Sequence, residues 1–200
     1  QRQMCKETDL DEYLIFSLKN QGAAITSWGV GTNLITAKDC PAFGGVYKLA
    51  AVQDEKTGEF IPKIKLSENS EKITNPGFKC VYRYYDKDSG KALADELCLR
   101  DEKIDFTKPH DIFDPNATWK VKTLENYTVR ELLEPIFKNG ELVYKLPKLD
   151  EIQAYCEAQV DTLWDEVKRF DNPHTYYVDL SQKLWDIKDR LLHEGGRLDR

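Results

Sequence analysis

The feature that most constrains the fold is a series of short strand-like runs between residues 46 and 99. The four runs are separated by turn segments rich in Gly, Pro, Asn and Asp, and they cover residues 46–52, 60–66, 79–85 and 92–99. Apolar runs of this length between turn residues are typical of strands joined by tight turns. We therefore predict an antiparallel β unit, closed by a fifth strand at 118–124.

Helical patterns lie on both sides of this β unit. Before it, Asp9 stands three residues ahead of Glu12 in the spacing of a capping box, an amphipathic pattern follows, and Gly22 is placed to end the helix. Residues 23–28 are then typical of a buried strand. After the β unit we predict helices over 128–139 and 150–170, and a last helix capped by Ser181.

The order of these patterns predicts a mixed fold with both α/β and α+β character. Residues 1–45 have the helix–strand–glycine order of an α/β layer or barrel and form the first predicted segment. A β-rich unit over 46–125 and a helical segment over 126–200 complete the predicted organisation.

Composition excludes several classes of partner. The net charge is −6 with acids and bases interleaved, so nucleic acid is not expected. No apolar run approaches the roughly 20 residues that cross a bilayer, and no membrane association is expected. The five cysteines are widely spaced without a CxxC pair, which disfavours structural zinc and a disulfide framework. A reducing cytoplasm is the predicted compartment.

The segment Gly29-Val30-Gly31-Thr32 is the leading candidate for chemistry. Glycines allow backbone N–H groups to approach a phosphate, and Thr32 adds a hydroxyl donor. The alternative is a turn that only needs positive φ. The position after a buried strand favours the phosphate interpretation, because α/β barrels bind phosphate on such loops.

Other candidates have an ordinary structural interpretation beside a functional one. Asp9, Asp11 and Glu12 are interpreted either as ligands of sugar hydroxyls or magnesium at a strand end, or as helix capping, which we favour. Exposed side chains without a catalytic role are expected at His110, His174, His193, Lys65, Lys72 and Lys79. No cysteine has the surroundings of an activated nucleophile, and Trp164 and Trp185 are expected to be core or interface anchors.

Several stretches, taken in order, resemble nicotinate phosphoribosyltransferases. They cover nearly the whole chain and include DLDEY at 9–13, WGVGTNLITA at 28–37, PAFGGVYKL at 41–49, KITNPG at 72–77, LVYKLP at 142–147 and VDLS at 178–181. The resemblance implies the C-terminal part of a type II phosphoribosyltransferase: the end of an irregular α/β barrel, an antiparallel β-rich unit and C-terminal helices. It implies phosphate binding by Gly29, Gly31 and Thr32, with Asp9 and Asp11 beside them.

The resemblance also implies the reaction and its requirements. Such enzymes join nicotinate to phosphoribosyl pyrophosphate, form nicotinate mononucleotide and pyrophosphate for NAD synthesis, hydrolyse ATP through a phosphohistidine, use magnesium and form homodimers. The family's phosphorylated histidine and Ser-Gly-Asp motif have no counterpart among these residues, so we expect the 200 residues alone to be inactive. Two alternatives remain: a non-catalytic folding or dimerisation module, and a transferase for nicotinamide or quinolinate.

Overall fold

The computed structural model describes residues 4–7, 9–42, 44–69 and 72–195. The chain divides into two units, Gln1–Tyr47 and Lys48–Arg200. None of the helices within the described ranges is long and apolar enough to cross a bilayer.

The smaller unit is built on two parallel strands joined through a helix. Its elements are β1 (Met4–Glu7), α1 (Glu12–Asn20), β2 (Ser27–Val30) and the single turn α2 (Thr32–Ile35). β1 and β2 pair from Met4 opposite Ser27 to Glu7 opposite Val30. Parallel strands require a crossover connection, which α1 supplies. The predicted order of helix and strand is confirmed, but the strand covers Ser27–Val30 and not residues 23–28, and it is only partly buried.

The cap of α1 is Asp11, so the prediction of Asp9 is wrong. Asp11 has an extended backbone, and its Oδ1 accepts a hydrogen bond from the Leu14 N–H at 2.7 Å. Leu10, which is 1% exposed, holds the chain before the cap in the core. The cap therefore lies at residue 11, two residues after the position 9 that the capping-box spacing predicts. The predicted stop is confirmed at Gly22, where φ is +81°.

The larger unit contains a four-stranded sheet, three hairpins and two helices. Its strands are β3 (Ala51–Gln53), β4 (Phe60–Pro62), β5 (Lys79–Asp86), β6 (Ala92–Leu99), β7 (His110–Phe113), β8 (Val121–Leu124), β9 (Tyr127–Glu131), β10 (Phe137–Lys138), β11 (Glu141–Leu142) and β12 (Val178–Leu180). The helices are α3 (Leu149–Thr162) and α4 (Gln182–Gly195). The sheet order is β12-β6-β5-β9, with β12 parallel to β6 and the other pairs antiparallel.

The predicted antiparallel unit is confirmed at β5 and β6 but differs at its other strands. The first two predicted runs form the short hairpin β3–β4, and the predicted fifth strand pairs with β7 as the hairpin β7–β8. The larger sheet is instead completed by β9 and β12. Sequence spacing identified strands, but their partners depend on contacts between distant segments.

The predicted helix over 128–139 is wrong, because this segment is extended. Tyr127 and Val129 lie on the packed face of β9, with the exposed Thr128 between them, which is the alternation of a half-buried strand. Asn139 and Gly140 have φ values of +51° and +83° and form the two-residue turn between β10 and β11. This Asn-Gly pair is a hairpin signal and not a helix stop.

Two buried clusters hold the larger unit together. One packs the sheet against the hairpin β7–β8 and consists of Tyr84, Ala94, Ile112, Leu124 and Tyr127. The other packs α4 on β6 and β12 and consists of Leu99, Leu180 and Leu184, with Trp185 and Ile187 against it. Ser181 caps α4 as predicted, because its Oγ accepts the Leu184 N–H at 3.2 Å.

Helix α3 is shorter than predicted. It ends at Thr162, and Leu163 is extended, with ψ at 148°. The indole N–H of Trp164 donates to the Ala92 carbonyl at 2.9 Å, which holds the chain against β6 as it leaves the helix. Trp164 was expected to be a core or interface anchor, but it is 41% exposed, and among the described residues only its indole N–H bonds to β6. The apolar side chains of Ile152 and Tyr155 on α3 are also exposed within this chain, at 49% and 58%.

Candidate functional site

The carboxyl ends of β1 and β2 bring the predicted site residues to one edge. Because the two strands are parallel, the segments that follow them leave the sheet at the same side. Asp9 and Asp11 follow β1, while Gly31 and Thr32 follow β2. In open α/β folds and barrels this edge is where ligands bind.

Asn33 fastens the two segments together. Its side-chain N–H₂ donates to the Asp9 carbonyl at 3.1 Å and to the Leu10 carbonyl at 3.2 Å. The first turn of α2 is thereby fixed beside the segment that leads into α1. Sequence reasoning missed this residue, although a polar side chain directly after Gly-Val-Gly-Thr was a signal that the loop is held by more than its glycines.

The start of α2 presents donors that the helix itself does not use. The first helical hydrogen bonds run from the N–H groups of Leu34 and Ile35 to the Gly31 carbonyl, both at 3.2 Å. The N–H groups of Thr32 and Asn33 precede these bonds and have no acceptor inside the helix. Thr32 is exposed and adds its hydroxyl at the same end. This end therefore offers hydrogen-bond donors to an acceptor outside the segment.

The glycines of this segment are not explained by positive φ. Of the described glycines, five have positive φ, and neither Gly29 nor Gly31 is among them. Gly29 lies within β2, and Gly31 has φ at −102° as the N-cap of α2. The alternative of a turn that needs glycine for positive φ is therefore wrong.

A cavity of about 450 Å³ lies within the smaller unit, between α1 and the segment after α2. Its polar lining consists of Asp11, Glu12, Asn33, Lys38, Asp39 and Cys40. Of the five predicted site residues, Asp11 alone lines it. Three carboxylates and one ammonium group make this space a poor site for a bare polyphosphate, so donors for an anion are found at the start of α2 instead.

A second concentration of polar side chains is buried in the larger unit, around Glu96 of β6. Glu96 is 2% exposed and accepts hydrogen bonds from the Tyr84 hydroxyl at 2.5 Å and from His110 Nε2 at 2.9 Å. The hydrogen bond to Glu96 raises the pKa of His110 above its ordinary value, despite the opposing effect of burial. Burial, together with the Glu96 charge, raises the pKa of Tyr84 far above its ordinary value. Glu96 is thus held as a buried carboxylate by two donors.

The neighbouring acid, Asp95, is bound on the other face of the sheet. Arg83, directly opposite it on β5, donates from Nε at 2.7 Å and from a terminal nitrogen at 2.8 Å, and the Tyr176 hydroxyl donates at 3.1 Å. Sequence reasoning missed both acids. The signal was present, since two consecutive acids in the apolar strand ALADELCL must point to opposite faces.

The structure corrects the expectations for His110 and Lys79 and confirms that for the buried cysteines. His110 was predicted to be exposed, but its side chain is only 19% exposed, because it pairs with Glu96. Burial raises the pKa of Cys80 and of Cys98, as expected of inert thiols, and the four cysteines in the described ranges whose side chains are placed are free. Lys79 was also predicted to be exposed, but it is half-buried, because its ammonium group donates to the carbonyls of Asn75 and Gly77, both at 2.7 Å.

Metal ligands are sparse. Within the part of the chain that the structure describes, no group of three His, Cys, Asp or Glu side chains is arranged to hold a metal ion. Asp11 commits one oxygen to capping α1, while the exposed Asp9 carboxylate has no hydrogen bond to another described side chain or amide.

Comparisons with known proteins agree on one family. The family model for the nicotinate phosphoribosyltransferase C-terminal domain matches residues 78–188. Nicotinate phosphoribosyltransferase of Bacillus subtilis is 42% identical over 94% of this chain and 38% of its own length. The human enzyme is 32% identical over 92% of this chain and 33% of its own length. The chain thus spans about a third of the length of the curated relatives that it matches.

A solved structure shows the same fold. The crystal structure of human nicotinic acid phosphoribosyltransferase superposes with a TM-score of 0.68 at 25% identity, over 94% of this chain and 32% of that one. The predicted fold class, a mixed α and β arrangement that forms the C-terminal part of such an enzyme, is therefore confirmed.

Proposed function

Because this chain belongs to the nicotinate phosphoribosyltransferase family, we propose that it supplies part of the site that joins nicotinate to phosphoribosyl pyrophosphate. The products are nicotinate mononucleotide, a precursor in NAD salvage, and pyrophosphate. The share of this reaction assigned to the described residues is to bind the phosphorylated sugar.

The observation that supports this role is the edge formed by β1 and β2. The amide groups at the start of α2 and the Thr32 hydroxyl are donors for phosphate oxygens, and Gly29 and Gly31 permit a close approach to the backbone. Asn33 fixes these donors relative to the segment that carries Asp9 and Asp11. A fixed arrangement of donors matters because it requires no reorganisation when the ligand binds.

Such donors suit the chemistry of phosphoribosyl transfer. As the bond to pyrophosphate breaks, negative charge develops on the leaving oxygens and the ribose acquires oxocarbenium character. Hydrogen-bond donors held at the leaving group stabilise that charge, and a fixed sugar phosphate orients the ribose carbon towards the incoming pyridine nitrogen. Thr32 and the neighbouring amides would act at this end of the sugar.

We also propose that the reaction uses magnesium and ATP, and that the described residues supply few of their ligands. Mg²⁺ in such sites is held by one or two carboxylates together with substrate phosphates, and it would neutralise the departing pyrophosphate. Asp9 is the described carboxylate best placed to contribute, since it follows β1 and does not cap α1. Cytoplasmic location and a homodimer complete the proposal, and the free thiols of the described cysteines support the former.

The test is Thr32→Ala in the protein encoded by the complete gene. Loss of one hydrogen bond to a charged group costs about 1.5–3 kcal/mol, which is roughly a 10- to 150-fold rise in KM for phosphoribosyl pyrophosphate. KM for nicotinate should change little. Thr36→Ala is the matched control. The Thr36 hydroxyl already donates to the Thr32 carbonyl at 2.7 Å, so it is not expected to bind the ligand.

The same assay separates the proposal from its alternatives. Nicotinamide and quinolinate in place of nicotinate test the base, and omission of ATP tests the coupling. An unchanged KM for phosphoribosyl pyrophosphate in Thr32→Ala would remove Thr32 from the site. The 200 residues alone are predicted to form no nicotinate mononucleotide, and product formation by them would contradict that prediction.

A further inference from the structure

Asp179 is a buried acid that the proposed function does not use. It lies in β12 directly opposite Glu96 of β6 and is 4% exposed. Glu96 has two donors, whereas the Asp179 carboxylate accepts no hydrogen bond and joins no ion pair from any residue that the structure describes. The Asp179 oxygens are not among the fully buried unpaired atoms of the described residues, so they must reach an accessible space.

Asp179 lines a cavity of about 250 Å³ in the larger unit. Its apolar lining consists of Ile112, Phe113 and Val121 of the hairpin β7–β8 together with Tyr177, and the rest of the lining is charged. Leu180, the next residue of β12, belongs to the cluster around α4, so Asp179 points to the opposite face of the sheet. The unpartnered carboxylate therefore belongs to the wall of an accessible space and not to a closed core.

The charges around this cavity are ordered from inside to outside. Asp179 is buried, Asp114 beside it is half-buried, and Lys120 and Lys122 are exposed. Neither lysine forms an ion pair with a carboxylate of the residues that the structure describes, while Asp114 Oδ1 accepts the Asn116 N–H at 2.8 Å. Burial, aided by the charges of Asp114 and Glu96, raises the pKa of Asp179 to about 6. The cavity thus has a negative interior and a positive rim.

We propose that this cavity binds a small zwitterion, with a protonated amine inward at Asp179 and Asp114 and a carboxylate or phosphate outward at Lys120 and Lys122. The amine supplies the donors that Asp179 lacks. The anionic end would pair with these two exposed lysines, which have no carboxylate partner among the residues that the structure describes. Ile112, Phe113 and Val121 suit the short hydrocarbon segment between the two charges. The volume accommodates a molecule of amino-acid size.

The test uses ω-amino acids as probes on the intact chain. Glycine, β-alanine and 4-aminobutyrate span increasing separations of the two charges, and n-butylammonium and butyrate each carry one charge. We expect the best zwitterion to bind at least tenfold more tightly than either single-charge probe in calorimetric titration. Asp179→Asn should weaken the binding of this zwitterion at least tenfold. Asp171→Asn makes the same charge change at an exposed position and should leave the affinity unchanged.

Two further measurements decide the matter without depending on one variant. In the unsubstituted chain, the ¹³C carboxyl titration of Asp179 should move to lower pH when the zwitterion is bound, because an ammonium partner favours the ionised acid. Lys120→Gln combined with Lys122→Gln should remove the advantage of the zwitterion over n-butylammonium. Absence of saturable binding, equal affinity for n-butylammonium, or an unchanged Asp179 titration would overturn the proposal.

Discussion

Gly77→Ala and Gly90→Ala form a matched pair that separates backbone strain from steric overlap. Both glycines have positive φ, +90° at Gly77 and +68° at Gly90. An alanine in this conformation costs about 1–2 kcal/mol, and that is the whole cost at Gly90, where a new Cβ would meet nothing within 4 Å. At Gly77 the new Cβ would lie 2.5 Å from Leu99 Cδ2.

The additional cost at Gly77 follows from how Leu99 is held. Leu99 is 8% exposed and packs with Leu180 and Leu184, so it cannot move aside freely. Overpacking of this kind costs about 1–3 kcal/mol beyond the strain, which gives a total of about 2–5 kcal/mol for Gly77→Ala. The hydrogen bond from the Gly77 N–H to the Ala50 carbonyl at 2.7 Å is available to alanine as well and does not contribute.

Urea unfolding followed by far-UV circular dichroism measures both losses at equal m-value. The unfolding free energy of Gly77→Ala should fall about 1–3 kcal/mol further than that of Gly90→Ala. Leu99→Ala in the Gly77→Ala background should be strongly non-additive, because it removes the atom that the new methyl meets. Equal losses in the two glycine variants, or simple additivity with Leu99→Ala, would refute the packing argument.

Three further predictions concern the buried charges of the larger unit. The pKa of Asp179 is raised to about 6 from 3.8, so the folded state binds the extra proton and stability falls as pH rises between these values. Asp179→Asn should abolish this slope and increase the free energy of unfolding at pH 7 by up to about 3 kcal/mol, measured by urea unfolding at pH 4 and 7. The hydrogen bond to Glu96 raises the pKa of His110, so the pair stabilises the fold fully at pH values below the ordinary histidine pKa. This stabilisation is lost as the pH rises through the raised pKa of the folded state. In thermal unfolding, His110→Gln should therefore lower the stability more at pH 6 than at pH 9. Arg83→Leu should cost about 3–5 kcal/mol in urea unfolding, because it leaves Asp95 buried without its bidentate partner, whereas Arg83→Leu with Asp95→Leu should cost much less.

Local signals in the sequence were sufficient at some helix ends but not at all of them, since α1 is capped by Asp11 and not by Asp9. The stop of α1 at Gly22 and the cap of α4 at Ser181 depend on backbone groups only a few residues away, and both were predicted correctly. The strands β5 and β6 are long and bounded by turn residues, so their position was also evident. The segment 128–139 failed because β9 is held by its pairing with β5, more than 40 residues earlier. Pairing at that distance outweighs the helical preference of a short charged segment.

The candidate sites follow the same rule. The position of Gly31 and Thr32 directly after a strand was predictable from the order of the patterns along the chain, although that strand is only partly buried and Gly29 lies within it. The role of Asn33 was not predictable, because the Leu10 carbonyl to which it donates lies 23 residues earlier in the chain. Glu96 was missed for the same reason: His110, which holds it, is 14 residues away and looked like an isolated surface histidine.

The consecutive acids of β6 fix the register of the sheet more firmly than apolar side chains alone would. Asp95 is bound by Arg83 on one face, and Glu96 by Tyr84 and His110 on the other. Moving β5 by one residue along β6 would exchange the faces of all its side chains and place the Arg83 guanidinium away from Asp95. Asp95 would then lose its bidentate partner, at several kcal/mol, and Glu96 would lose Tyr84 while keeping His110 of β7. Apolar side chains at these two positions would lose much less free energy if the register shifted. The charges therefore specify one register, although burying them does not in itself stabilise the fold.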